Sequence, residues 1–395
     1  MKFLKVLILK LQAILSFRLK KFNSSVKIYS KLVDLEPDNI NHYLKLGGAY
    51  GLSGDYAKAI ETYQRVIQID DNNYQVHDAL GGIYALLNQL KLAEEHYQKA
   101  ISLNSDSYST QINLGDVYKS LDKHMEALNA YKRAARINPD NPYNYSAMGD
   151  IYYKMGNYSE ALNNYKKKYS MDKNSSSICC SIADTNFKLG NIEETAVFYK
   201  KAIRLDPYNP IPYASLGSIY LAVEKYDEAI YVLGKVFLIK PEDVSKRSNI
   251  GSAYKHKILE DQVKDMYKEI YILCHLGVAS AYNSKGKYED ALREYNNALK
   301  ISEFLPEALI GIGNTYLALN KDQEAKESFY KALEIDSNAV EAFTGLGKIH
   351  FLKGNLDKVK NIIEKLSQIS EKDAKKFQEY IDNFEQKKDQ SEKNV

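Results

Sequence analysis

The sequence predicts an all-α protein assembled from repeated helix-turn-helix units, and three observations carry that prediction. A pattern recurs every 34 residues, a small residue and a tyrosine hold fixed places within it, and Gly and Pro are confined to a few points of the frame. With position 1 at Ile40, the frame returns at Tyr74, Tyr108, Pro142, Ser176, Pro210 and Val244. After one shortened step of 28 residues it resumes at Ile272, Pro306 and Val340.

The first helix of each unit follows from positions 4, 7, 8 and 11, which share one stripe at ~100° per residue. Position 8 is small in all ten windows, from Gly47 and Gly81 to Gly313 and Gly347, and position 11 is Tyr in eight of them. The turn follows from Gly54, Gly156, Gly190, Gly286 and Gly354, all at position 15, where glycine ends a helix. The second helix carries Ala at position 20 in seven windows and an aromatic residue at 24 in eight, including Tyr63, Tyr97, Tyr131, Tyr165 and Phe329. Small residues at 8 and 20 let the two helices approach, and the rings at 11 and 24 fill the space around them. All eight prolines fall at position 32, 1 or 3, the junction between units, where a missing N–H is tolerated. The shortened step lacks these junction residues. It therefore predicts one long helix through Tyr271 in place of two.

This pattern resembles the tetratricopeptide repeat family, with its small residue and Tyr in the first helix, Ala at 20, aromatic at 24 and Pro at 32. The resemblance covers at least residues 40–371, and a weaker copy begins at Val6, with Tyr29, Leu32 and Pro37 at positions 24, 27 and 32. It implies a right-handed α-solenoid of about ten to eleven repeats, each packing only on its neighbours. The organisation expected is a degenerate repeat or amphipathic helix at 1–39, a first arm of repeats at 40–271 and a second at 272–371. A capping helix and charged tail then fill 372–395.

Composition narrows the function classes. The chain has 395 residues, 45% hydrophobic and 27% charged, ample for a packed core. Three cysteines, two of them adjacent (Cys179 and Cys180), make neither a disulfide framework nor a zinc signature, which favours a reducing, cytoplasmic setting. Residues 1–36 carry eight Lys/Arg against Asp34 and Glu36, so the remainder of this +3 chain is balanced and offers no long nucleic-acid surface. Residues 1–20 have three readings: the first helix of the degenerate repeat, an amphipathic helix on a membrane surface, or a signal peptide interrupted by Lys10. His77, His275 and His350 fall at packing positions, and Gly345–Lys348 lacks the spacing of a phosphate loop. No catalytic, metal or cofactor constellation emerges.

In the family the first helices line a concave surface. Positions 2, 5, 9 and 12 form a stripe ~130° from the packing stripe, so they face elsewhere. In the first two windows this stripe is nearly bare, with Gly48, Gly51, Gly82 and Ala85. In the third to sixth it carries Ile112, Tyr143, Tyr153, Phe187, Ile211 and Leu221, interleaved with Asp116, Asp150 and Asp184. Two readings of the Asp series stand: local pairing with Lys119, Lys154 and Lys188, or contact with a partner. The family's clamp for C-terminal carboxylates is missing, because within the ten windows position 5 is never Lys and position 2 is never basic. The expected function is a non-catalytic scaffold for a protein or peptide partner bearing Lys or Arg near the carboxylates. The alternative is a regulatory or substrate-recruiting subunit of a membrane-associated enzyme or assembly complex, with the N-terminal helix at the membrane surface.

Overall fold

The computed structural model describes residues 2–239 and 257–393. Among the described residues there are 21 helices and no strand. Val244, Gly251 and Tyr254, the markers of the seventh window, lie outside them.

In chain order the helices are α1 (Lys2–Arg18), α2 (Phe22–Leu35), α3 (Ile40–Ser53), α4 (Tyr56–Ile69), α5 (Tyr74–Leu86), α6 (Leu90–Leu103), α7 (Tyr108–Ser120), α8 (His124–Ile137), α9 (Pro142–Lys154), α10 (Tyr158–Met171) and α11 (Ser176–Lys188). They continue as α12 (Ile192–Leu205), α13 (Ile211–Ala222), α14 (Tyr226–Val236), α15 (Lys257–Ser284), α16 (Tyr288–Ile301), α17 (Pro306–Ala318), α18 (Asp322–Ile335), α19 (Val340–Leu352), α20 (Leu356–Ile369) and α21 (Glu371–Lys393). Two compact units divide them: Met1–Asn174 with Asp184–Gly190, and Ser175–Ala183 with Asn191–Val395. Each is a stretch of α-solenoid.

Local chemistry sets the helix ends. Before α3, α5, α7 and α9 the preceding residue supplies a cap: Asn39, Asn73, Ser107 and Asn141 accept backbone N–H groups from Asn41, Val76, Thr110 and Tyr143. The turn inside each hairpin needs one left-handed residue, always at position 15. Glycine fills it five times with φ between 70° and 86°. Lys20, Asn88, Asp122, Glu224 and Asn320 fill it elsewhere at φ of 54–58°.

In the first unit the hairpins α1–α2 to α9–α10 follow one another, with α2 on α3, α4 on α5, α6 on α7 and α8 on α9. The core repeats one contact, in which the position-24 tyrosine lies on the position-8 glycine. A Cβ added to Gly47, Gly81, Gly115 or Gly149 would sit 2.5–2.7 Å from the ring of Tyr63, Tyr97, Tyr131 or Tyr165. Residues 2–35 share this hairpin geometry, with Lys20 in the turn position and Ala13, Tyr29 and Leu32 buried. Where other units have Tyr at position 11, Ser16 bonds Ser25 through the hydroxyls at 2.8 Å.

In the second unit, α15 runs unbroken for 28 residues through Tyr271, as the shortened step implies. Its buried Ile270, Cys274 and Val278 pack with Leu233 and Val236 of α14. At the end of the chain, Ala374, Phe377 and Ile381 of α21 are buried in the core that α19 and α20 supply. The charged residues from Glu385 onward continue that helix to Lys393.

Candidate functional site

The acidic series is held by tyrosines. Asp116 Oδ1 accepts hydroxyls from both Tyr131 and Tyr143, each at 2.6 Å, and Asp150 Oδ1 accepts from Tyr165 at 2.8 Å. Lysine pairing was one reading of these residues. Among the described residues neither Asp116 nor Asp150 is ion-paired to the lysine one turn on; the stripe holds them through hydroxyls instead. The cause is the position-8 glycine. It lets the ring from the second helix cross the first, which brings the phenol oxygen level with position 9. Burial raises the pKa of Tyr131, Tyr143 and Tyr165, and their carboxylate partners raise it further. Tyr131 and Tyr143 also meet edge to face, with centroids 6.5 Å apart.

Asp116 and Tyr143 are thus brought into direct contact. Ile112 is half-buried on the α7–α8 core. Tyr153 is half-buried edge to face with Tyr158 at 5.3 Å, and its pKa is raised by burial and then by the charge of Asp184. Asp184 is half-buried and Phe187 exposed. Ile211 and Leu221 belong to the other compact unit, where Ile211 is exposed and Leu221 is half-buried against Leu233 and its neighbours.

The bare part of the stripe is a cleft. Gly48 and Gly51 of α3 and Gly82 and Ala85 of α5 floor a space of about 590 Å³ that extends to Asp116 and Ser120 of α7. Leu52 and Leu86 line it while remaining largely exposed, and Ile83 and Leu90 supply further apolar wall. The rings of Tyr63 and Tyr97 form the bottom. Emptiness at positions 9 and 12, above a tyrosine at 24, was the sequence signal for this cleft.

The histidines serve packing. His77 is buried, stacked 5.4 Å from His96, with Nε2 3.0 Å from the Asp71 carbonyl. His275 sits 2.8 Å from Glu294 and stacks on Phe237. Burial pushes the Cys274 thiol up to about 12, far from a reactive thiolate. Among the described residues no group of three or more His, Cys, Asp or Glu side chains could hold a metal ion.

Models described as TPR repeat match residues 115–156 and 279–320. Models described as tetratricopeptide repeat match 42–73, 74–107, 143–175, 176–209, 198–231 and 306–338. The chain belongs to the tetratricopeptide repeat family. Protein binding is typical of tetratricopeptide repeats, and the repeat is in general a non-catalytic interaction fold. No curated protein matches this tetratricopeptide chain. Among solved structures, the C-terminal part of a TPR repeat-containing protein from Cytophaga hutchinsonii is 16% identical, covering 68% of this chain and 99% of that one, with a TM-score of 0.57. This likeness shows the fold. MamA is 26% identical over 42% of this chain and 92% of its own, with a TM-score of 0.40. YrrB, titled a TPR protein with an unusual peptide-binding site, is 18% identical over 45% and 92%, with a TM-score of 0.43.

Proposed function

We propose that this tetratricopeptide protein is a scaffold that captures a segment of a partner protein on the position 2, 5, 9 and 12 stripe of its first compact unit. The observation that carries the reading is the apolar cleft beneath Leu52 and Leu86, which a side chain of the partner would fill. Leu52 and Leu86 are both exposed and line the same cleft, so they form an apolar patch of the kind that marks interaction sites. Beyond the cleft, Tyr143, Tyr153 and Phe187 offer aromatic contacts, and Asp150 and Asp184 offer carboxylates to a partner's Lys or Arg.

The test compares proteins retained by the intact chain with those retained by Leu52→Asp with Leu86→Asp, and by Tyr153→Ala with Phe187→Ala. The first pair is expected to lose the partner, because a charge in the cleft must be desolvated without a mate. The second is expected to weaken capture with a nearly unchanged helical melt. Equal retention by all three proteins overturns the reading.

A second reading rests on α1. It exposes Leu7, Ile8, Leu11, Ile14 and Leu15, with Leu19 just past its end, beside exposed Arg18, Lys20 and Lys21, which suits a recruiting subunit held on an anionic membrane surface. No helix among the described residues is long and apolar enough to cross a membrane. Sedimentation with vesicles containing phosphatidylserine, compared for the intact chain and Leu11→Glu with Leu15→Glu, tests it. Absence of lipid-dependent sedimentation of the intact chain excludes it.

A further inference from the structure

The tyrosines at position 24 are alike in packing and unlike in what their hydroxyls hold. In the third and fourth windows the hydroxyl donates to the position-9 aspartate of its own unit, as Tyr131 does to Asp116 and Tyr165 to Asp150. In the first two windows position 9 is Gly48 or Gly82, and that acceptor is missing. Tyr97 lies in the field of Asp78 and Asp116, and it shares the cleft lining with Asn113 and Asp116. Tyr63 has no such neighbour. It is only 5% exposed, its pKa is pushed up to about 12 by burial alone, and its hydroxyl has no hydrogen-bond partner among the described residues. Its ring forms part of the cleft, and its Oη lies 3.6 Å from where a Cβ on Gly48 would stand.

We infer that the Tyr63 hydroxyl is a specificity-determining donor for a carboxylate carried by the partner segment. The partner's Asp or Glu takes, over Gly48, the place that Asp116 takes over Tyr131. This rests on the groove reading above and adds to it a chemical class and a direction. The occupant is a protein segment with an apolar side chain in the cleft and an acidic residue at its α3 end. A carboxylate is favoured at Tyr63 because the one acidic residue lining the cleft, Asp116, stands at its α7 end, away from Gly48. Tyr63 lines the cleft, so its hydroxyl is open to an acceptor from outside, and a charged acceptor rewards it more than a neutral one.

The experiment pans a phage-displayed library of random 12-residue peptides against the full chain. Enriched peptides are then measured on the intact chain and on four variants. The expected peptides share an apolar residue and an Asp or Glu. Tyr63→Phe, which keeps the ring on Gly47, should weaken them about tenfold or more. Changing the peptide's acid to Ala should cost the same factor on the intact chain and nothing further on Tyr63→Phe. Gly48→Asp has room for its Cβ and should take the Tyr63 hydroxyl internally. It is expected to abolish binding while leaving the helical melt intact, and Tyr295→Phe, at a buried position-24 ring of the other compact unit, should bind normally. Full affinity in Tyr63→Phe, peptides without an acid, or an acid-to-Ala cost that persists in Tyr63→Phe each overturn the inference and leave the groove reading standing. A library that yields no binder, or binders indifferent to Leu52→Asp with Leu86→Asp, overturns both.

Discussion

Gly81 and Gly82 are adjacent in α5, yet substitution by Ala should move stability in opposite directions. A Cβ on Gly81 would lie 2.7, 2.8 and 2.9 Å from three ring carbons of Tyr97, well inside contact distance. Tyr97 is 2% exposed and has nowhere to slide. Overpacking of this kind costs about 1–3 kcal/mol, against a helix-propensity gain of about 1 kcal/mol for Gly→Ala. The net expectation for Gly81→Ala is a loss of up to about 2 kcal/mol. On Gly82 the nearest atom to a Cβ is the Tyr97 hydroxyl at 3.5 Å, an ordinary contact. The propensity gain then survives, and Gly82→Ala should stabilise by about 0.5–1 kcal/mol. A repeat array need not melt in two states, so native-state hydrogen exchange of the α5 and α6 amides is the suitable measurement. If both variants protect those amides equally better than the parent, the glycine–tyrosine contact does not set the inter-helix distance. The packing account of the repeat then fails.

Three further outcomes are expected. Glu224 holds φ 58° at its turn, a conformation costing most residues about 1–2 kcal/mol, so Glu224→Gly should raise the stability of the α13–α14 hairpin by about 1 kcal/mol in hydrogen exchange. Glu36 is held at about 2, below its ordinary 4.5, first by its bond to His42 and then by Lys10. Because its folded pKa is the lower one, its stabilising effect is complete above about 4.5 and disappears as pH falls toward 2. The Glu36 carboxyl resonance followed by NMR should titrate near 2 and move toward 4.5 in His42→Ala. A fragment of residues 40–107, two units without neighbours, should be largely unfolded by circular dichroism. A cooperative, fully helical melt would contradict nearest-neighbour stabilisation.

The packing was readable because it depends on residue size at fixed phase. Only a small residue suits the place of Gly115 when Tyr131 must cross it, so the period alone located the contact. The left-handed turns were half readable. Glycine announced five of them, but Lys20 and Glu224 carry no such mark and are forced there by the hairpin around them. The stripe was harder. Its phase was evident, yet the partner of Asp116 is a ring 15 residues downstream on another helix, and helical spacing is blind to that. Pairing rules within a helix therefore pointed to lysines. The cleft is legible in the sequence only as bareness: Gly48 and Gly82 contribute no side chain, so the pattern marks an empty place without naming a residue that binds.

The unbroken α15 has a mechanical consequence. A stack of hairpins stretches as a spring does, by opening a small angle at each junction between neighbours. Through α15 there is no such angle for 28 residues, about 42 Å at 1.5 Å per residue. Pulled along its own axis, this helix transmits load without giving, and extension is left to the junctions between hairpins. The second unit therefore contains one stiff element where a hairpin junction would otherwise give.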